Sequence, residues 1–153
     1  MDLIHGLLRM TGRIINDHHV SRYCGGSHVT EDGRVSGTAF LPRGDETYLS
    51  VNWLEYFRTP DRQEQIEKVR EILSQKLRIG STAKIAVLNV GETKNTVMTA
   101  TNGQTRIFVE HKPEPDDPPH AGICGLPLED RLQLKLVAEL MAQTIKEIYP
   151  AKI

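Results

Sequence analysis

The chain has 153 residues, 39% apolar and 25% charged, which fits a single globular domain over residues 1–153 that buries roughly 70% of its unfolded surface. Nineteen Lys and Arg face twenty Asp and Glu, so the composition carries no electrostatic footprint for nucleic acid or an anionic membrane. No stretch approaches the roughly 20 apolar residues of a bilayer crossing.

Leu3, Ile4, Leu7, Leu8, Ile14 and Ile15 recur near helical spacing and predict an amphipathic first helix, which Gly6 and Gly12 weaken. The acidic second residue and the lack of a basic leader predict a cytoplasmic start. Residues 16–45 are rich in Gly, Ser, His and Asp and predict short strands, 20–24 and 36–41, joined by turns. In residues 48–57, Leu49, Val51 and Trp53 alternate with Ser50 and Asn52, the pattern of a half-buried strand. Thr59-Pro60-Asp61 then offers a helix start, Ile66, Val69, Leu73 and Leu77 an apolar face, and Gly80 a stop.

Residues 83–90 form a β-branched run of strand length. Asn102-Gly103 is the pair that a tight hairpin prefers, which predicts 96–101 pairing with 104–110. Four prolines between residues 113 and 119 predict an extended exposed loop. Residues 129–149 predict a long helix on the stripe Leu132, Leu136, Val137, Leu140, Met141, Ile145 and Ile148, ended by Pro150. The fold class that follows is α+β: a mixed or mainly antiparallel sheet packed by about three helices.

The chemistry-bearing side chains cluster in two polar segments. His18, His19, Cys24 and His28 lie in one, and His120 and Cys124 in the other. His19, Cys24, His28, His120 and Cys124 are the ligand types of tetrahedral zinc, although no Cys-x2-Cys pair is present. The alternative places both cysteines, reduced, among the core residues and the histidines on backbone partners. Cys124, with His120 four positions before it, is also a candidate thiol nucleophile.

Arg22 in Val-Ser-Arg-Tyr, Ser50 in Tyr-Leu-Ser-Val-Asn and Glu110 in Ile-Phe-Val-Glu-His occur in an order that resembles the arginine-type ADP-ribosyltransferases. The resemblance implies that Arg22 clamps dinucleotide phosphates, Ser50 orients the glutamate, and Glu110 stabilises the oxocarbenium-like state. The chain departs from that pattern at Leu49-Ser50-Val51, where the family has Ser-Thr-Ser, and it supplies only Glu110 of the Glu-x-Glu loop. Gly37-Thr38-Ala39-Phe40, the 48–53 segment and Pro118-Pro119-His120-Ala121-Gly122-Ile123 together resemble the layout of small bacterial proteins without an assigned activity. That layout implies a bacterial or phage origin and no particular chemistry.

No Gly-rich phosphate loop, His-Glu-x-x-His or Gly-x-Ser-x-Gly element is present, which disfavours nucleotide hydrolysis and serine-hydrolase chemistry. The expectation is a polar cleft formed by segments 16–41 and 113–127, containing His19, Arg22, Cys24, His28, His120 and Cys124. Binding of a protein partner or small ligand there, with His19, Arg22 and His120 as contacts, is favoured over turnover because no nucleophile, base and orienter stand out together.

Overall fold

A computed structural model describes residues 12–153. Six strands, β1 (His19–Cys24), β2 (Leu49–Trp53), β3 (Lys84–Asn89), β4 (Phe108–His111), β5 (His120–Cys124) and β6 (Glu147–Pro150), join in one sheet. Its order is β4-β5-β2-β1-β3-β6 and every pairing is antiparallel. Among the described residues three helices, α1 (Arg62–Lys76), α2 (Val90–Ala100) and α3 (Arg131–Gln143), complete the α+β fold that the sequence predicts.

Strand alternation sorts the side chains into two layers. Val20, Cys24, Leu49, Val51, Trp53, Leu88, Val109 and Ile123 face one core with Val97 of α2 and Val137 and Met141 of α3. On the other face Ile85 and Val87 meet Ile66, Val69 and Leu73 of α1. That second core covers β1, β3 and β6; the β2–β5 half of the same face lies beside α1 and is polar.

Several sequence expectations are corrected. The predicted first helix lies mostly outside the described residues, and its end is extended instead: Arg13 bridges Glu110, and the Ile14 N–H donates to the Val109 carbonyl at 2.9 Å. Residues 36–41 contain a 3-10 turn (Gly37–Phe40), started by the Ser36 hydroxyl accepting from the Thr38 N–H. The strand over 48–57 stops at Trp53 and continues as the 3-10 turn Leu54–Phe57. Helix α1 is capped by Asp61, whose carboxylate accepts from the Gln63 N–H at 3.0 Å.

The hairpin expected at Asn102-Gly103 is absent. Residues 90–100 are helical because Asn89 caps the N-terminus, its side chain accepting from the Glu92 N–H at 2.8 Å. Asn102 (φ 52°) and Gly103 (φ 79°) supply the left-handed residues of the exit, and the Gly103 N–H returns to the Met98 carbonyl at 2.8 Å. The left-handed preference read as a hairpin turn therefore serves a helix end.

The helix predicted over 129–149 ends at Gln143, and Glu147–Pro150 forms β6 on the edge of β3. Its expected stripe is only partly inward, since Leu132 is 78% exposed. Residues 120–124, read as loop, form β5 between β2 and β4. The proline-rich connection before it is folded back by paired hydrogen bonds between Glu114 and Asp117, and Asp117 is only 1% exposed.

Candidate functional site

The site arises where β1 and β2 part. Their ladder holds Val20↔Trp53 and Ser21↔Asn52, while β1 stays paired to β3 and β2 to β5 along their lengths. Arg22 fills the fork: its Nε donates to the Ala39 carbonyl and its Nη1 to the Ser50 carbonyl, each at 2.8 Å. Burial works against the charged guanidinium and lowers its pKa, so these carbonyl contacts supply the partners that solvent would otherwise provide.

A cleft of about 700 Å³ opens on the α1 side of this fork. The C-terminal part of α1, the connection leading into β2, and the β4–β5 loop form its walls. Ser21, Ser50, Asn52 and His120 stand on its sheet floor because they occupy the positions that alternate with the core residues of β1, β2 and β5.

Two hydrogen-bonded groups organise the floor. In the first, Asn52 Nδ2 donates to Asp117 Oδ1 at 2.7 Å and Lys76 Nζ reaches Asp117 Oδ2 at 2.9 Å and Glu114 Oε1 at 3.1 Å. Burial alone would lower the Lys76 pKa, but hydrogen bonds to Asp117 and Glu114 outweigh it and raise the value. This group pins the β4–β5 loop to α1 and β2.

The second group centres on Ser50. Its Oγ lies 3.3 Å from His120 Nε2 and 3.2 Å from Glu46 Oε2. His120 Nδ1 lies 2.8 Å from the Lys112 carbonyl. A carbonyl oxygen only accepts, so Nδ1 carries a hydrogen, and in the neutral form of the ring Nε2 is the acceptor that faces Ser50. The imidazole is 5% exposed and meets the edge of the Tyr48 ring at 6.1 Å between centroids. Tyr48 in turn lies over Gly122, where a Cβ would come within 2.6 Å of the ring. Glycine at this position is what admits the aromatic wall.

Ser21 is the exception on the floor. It is 2% exposed, and among the described residues its buried Oγ has no hydrogen-bond partner. Leaving such a hydroxyl unpaired costs about 1–3 kcal/mol, which singles it out among the polar residues of the cleft.

Of the residues expected in the cleft, Arg22 and His120 line it. His19 sits elsewhere, with both its backbone N–H and its Nδ1 bonded to the Glu55 carboxylate at 2.7 Å. Cys24 belongs to the core of the opposite face, where burial pushes its thiol up to about 11. Its carboxyl-side neighbourhood carries His28, whose Nδ1 pairs with the Thr38 hydroxyl at 2.8 Å. The Cys124 thiol points to the Gly122 carbonyl, and burial raises its pKa as well. The set His19, Cys24, His28, His120 and Cys124 is therefore not gathered, and among the described residues no three His, Cys, Asp or Glu side chains converge as metal ligands.

Arg22, Ser50 and Glu110 are likewise separated in function. Arg22 Nε and Nη1 are engaged by backbone carbonyls, which leaves a poor phosphate clamp. Glu110 pairs across from Gly122 on β4, as Ser50 does on β2, so Gly122 and the overlying Tyr48 ring stand between the two side chains. Glu110 instead meets Lys112 Nζ at 3.3 Å.

Ser21, Glu46, Tyr48, Asn52, Lys76 and Asp117 were not among the sequence candidates. The Ser50 and Asn52 alternation was the available signal for a polar strand face; nothing local marked Lys76 or Asp117. No known protein family, curated protein or solved structure matches this chain.

Proposed function

We propose that this chain binds a small polar ligand, neutral or cationic, in the cleft between α1 and the β2–β5 half of the sheet. The observation that carries the reading is the convergence of Ser50, Asn52 and His120 on the floor of an open cleft, above a Ser21 hydroxyl that has no hydrogen-bond partner among the described residues. Hydrogen-bonding groups of a small polar ligand would find partners in these floor side chains. An open cavity with a few convergent polar groups is also the usual form of a small-molecule site.

Charge supports the ligand class. Three basic and five acidic side chains line the cleft, a surplus of two negative charges among its Lys, Arg, Asp and Glu residues. Lys76 is held by Asp117 and Glu114, and Arg22 by main-chain carbonyls. Phosphorylated ligands therefore meet repulsion rather than a clamp.

A thermal-shift panel of neutral polar compounds, amines and phosphorylated compounds tests this. Some neutral or cationic member should raise the melting temperature of the native chain by mass action and leave Ser50→Leu, whose added bulk occupies the cleft, unshifted. Equal shifts in both proteins, or shifts from phosphorylated compounds alone, contradict the reading.

A further inference from the structure

We propose that Ser50 is an acyl-transfer nucleophile and His120 its base, acting on a neutral or cationic carboxylic ester; this rests on the cleft being a small-ligand site. Ser50 on β2 meets the base and its orienting carbonyl, which lie eight positions apart at the two ends of the β4–β5 loop. Ser50 Oγ and His120 Nε2 are 3.3 Å apart, and His120 Nδ1 is held by the Lys112 carbonyl at 2.8 Å. The carbonyl does the orienting that a carboxylate often does: it fixes the tautomer and leaves Nε2 as the acceptor facing the hydroxyl. The ring is buried against Tyr48, so its direction is set before a substrate arrives. Ser50 itself lines the open cleft.

The hydroxyl has one proton and two acceptors, Glu46 Oε2 and His120 Nε2. Glu46 holds it at rest, and His120 receives it in the reaction. The Oγ lone pair forms a bond to the acyl carbon as the proton passes to Nε2. The tetrahedral species collapses, its C–O bond to the leaving alcohol breaks, and the alcohol oxygen takes the proton from Nε2. Water then adds to the Ser50 ester, giving a proton to Nε2; collapse returns that proton to Oγ and releases the carboxylic acid. One ester and one water become one acid and one alcohol, with no redox change.

Asn52 Nδ2, two positions along the strand from Ser50, has a second hydrogen beyond the one given to Asp117 and serves as the donor to the developing oxyanion. The Glu46 carboxylate beside Ser50 selects against anionic acyl groups.

The test uses the full chain and a neutral alkyl fluorophosphonate probe, read by intact mass and peptide mapping. One adduct per chain on Ser50 is expected, absent in Ser50→Ala, and formed at least ~100-fold more slowly in His120→Asn, the usual worth of a positioned base. Absence of label on Ser50 in the folded protein, or labelling indifferent to His120→Asn, overturns the proposal. Should His120→Asn not fold, Ser50→Cys replaces it: a thiol at this position must alkylate with iodoacetamide faster than Cys124, and an equal or slower rate overturns the proposal. A cleft that binds polar compounds while Ser50 stays unlabelled defeats the nucleophile and spares the binding site; loss of both defeats the site itself.

Discussion

His120 Nε2 and Ser50 Oγ meet at 3.3 Å across 70 positions of sequence, brought together by the pairing of β2 with β5. Neither residue is conspicuous alone. Their contact and the Lys112 carbonyl behind it give the cleft its character, with Ser21 and Asn52 on the same floor.

Ser21→Ala removes a buried hydroxyl that makes no hydrogen bond. Its stability in urea should equal that of the native chain or exceed it by up to ~1 kcal/mol, while ligands that stabilise the native chain bind it more weakly. A loss of stability would show that the hydroxyl already has a structural task.

Lys76→Met leaves the Asp117 carboxylate, 1% exposed, with Asn52 as its remaining donor from this group. Because the Lys76 side chain is itself about a quarter exposed, solvent screens part of the pair, and a loss of about 2 kcal/mol is expected rather than the larger cost of a fully buried pair. The double variant with Asp117→Asn should recover part of that loss in equilibrium unfolding.

Acid should destabilise the protein in two stages. Burial holds the His18 pKa below its ordinary 6.5, so the unfolded chain binds the extra proton first and stability falls as pH drops below that value. Burial would raise Glu55, but the hydrogen bonds from His19 outweigh it and hold its pKa below 4.5. Its contribution is present above 4.5 and is lost as pH falls through the lower folded value. Melting temperature against pH should show both stages, and Glu55→Gln should remove the lower one.

The two thiols should resist modification while the chain is folded. Cys24 is pushed up to about 11 by burial, and burial also raises Cys124. Titration with a thiol-specific disulfide at pH 8 should leave Cys24 unreacted and Cys124 slow, with both reacting promptly after unfolding. A fast native Cys24 would contradict its placement in the core.

Local pattern carried the fold a long way. The alternation around Val51 and the apolar face of Ile66, Val69 and Leu73 placed β2 and α1 correctly. It failed where one chemical preference serves two structures. Asn102-Gly103 supplies left-handed backbone to a hairpin or to a helix end, and the Asn89 cap decides for the helix. Ile148 continues the helical spacing of α3, yet it pairs with Ala86 as part of β6 because a sheet edge is available there. His120 follows four prolines and looks like loop; its strand exists through partners on β2 and β4. Of the cleft expected from sequence only Arg22 and His120 line the observed one, and Ser50 was legible only through its place in the Arg–Ser–Glu pattern, since strand pairing and the burial of Asp117 depend on contacts between residues tens of positions apart.

A small polar ligand held at the floor of this cleft must perturb the strands that form it. The most direct measurement is an amide NMR map of the uniformly labelled chain, titrated with the neutral or cationic compound that stabilises it most. Saturable shifts centred on Ser21, Tyr48, Ser50, Asn52 and His120 are expected. Shifts centred instead on the exposed Leu132 and Leu136 face of α3, or none at saturating concentration, would contradict it.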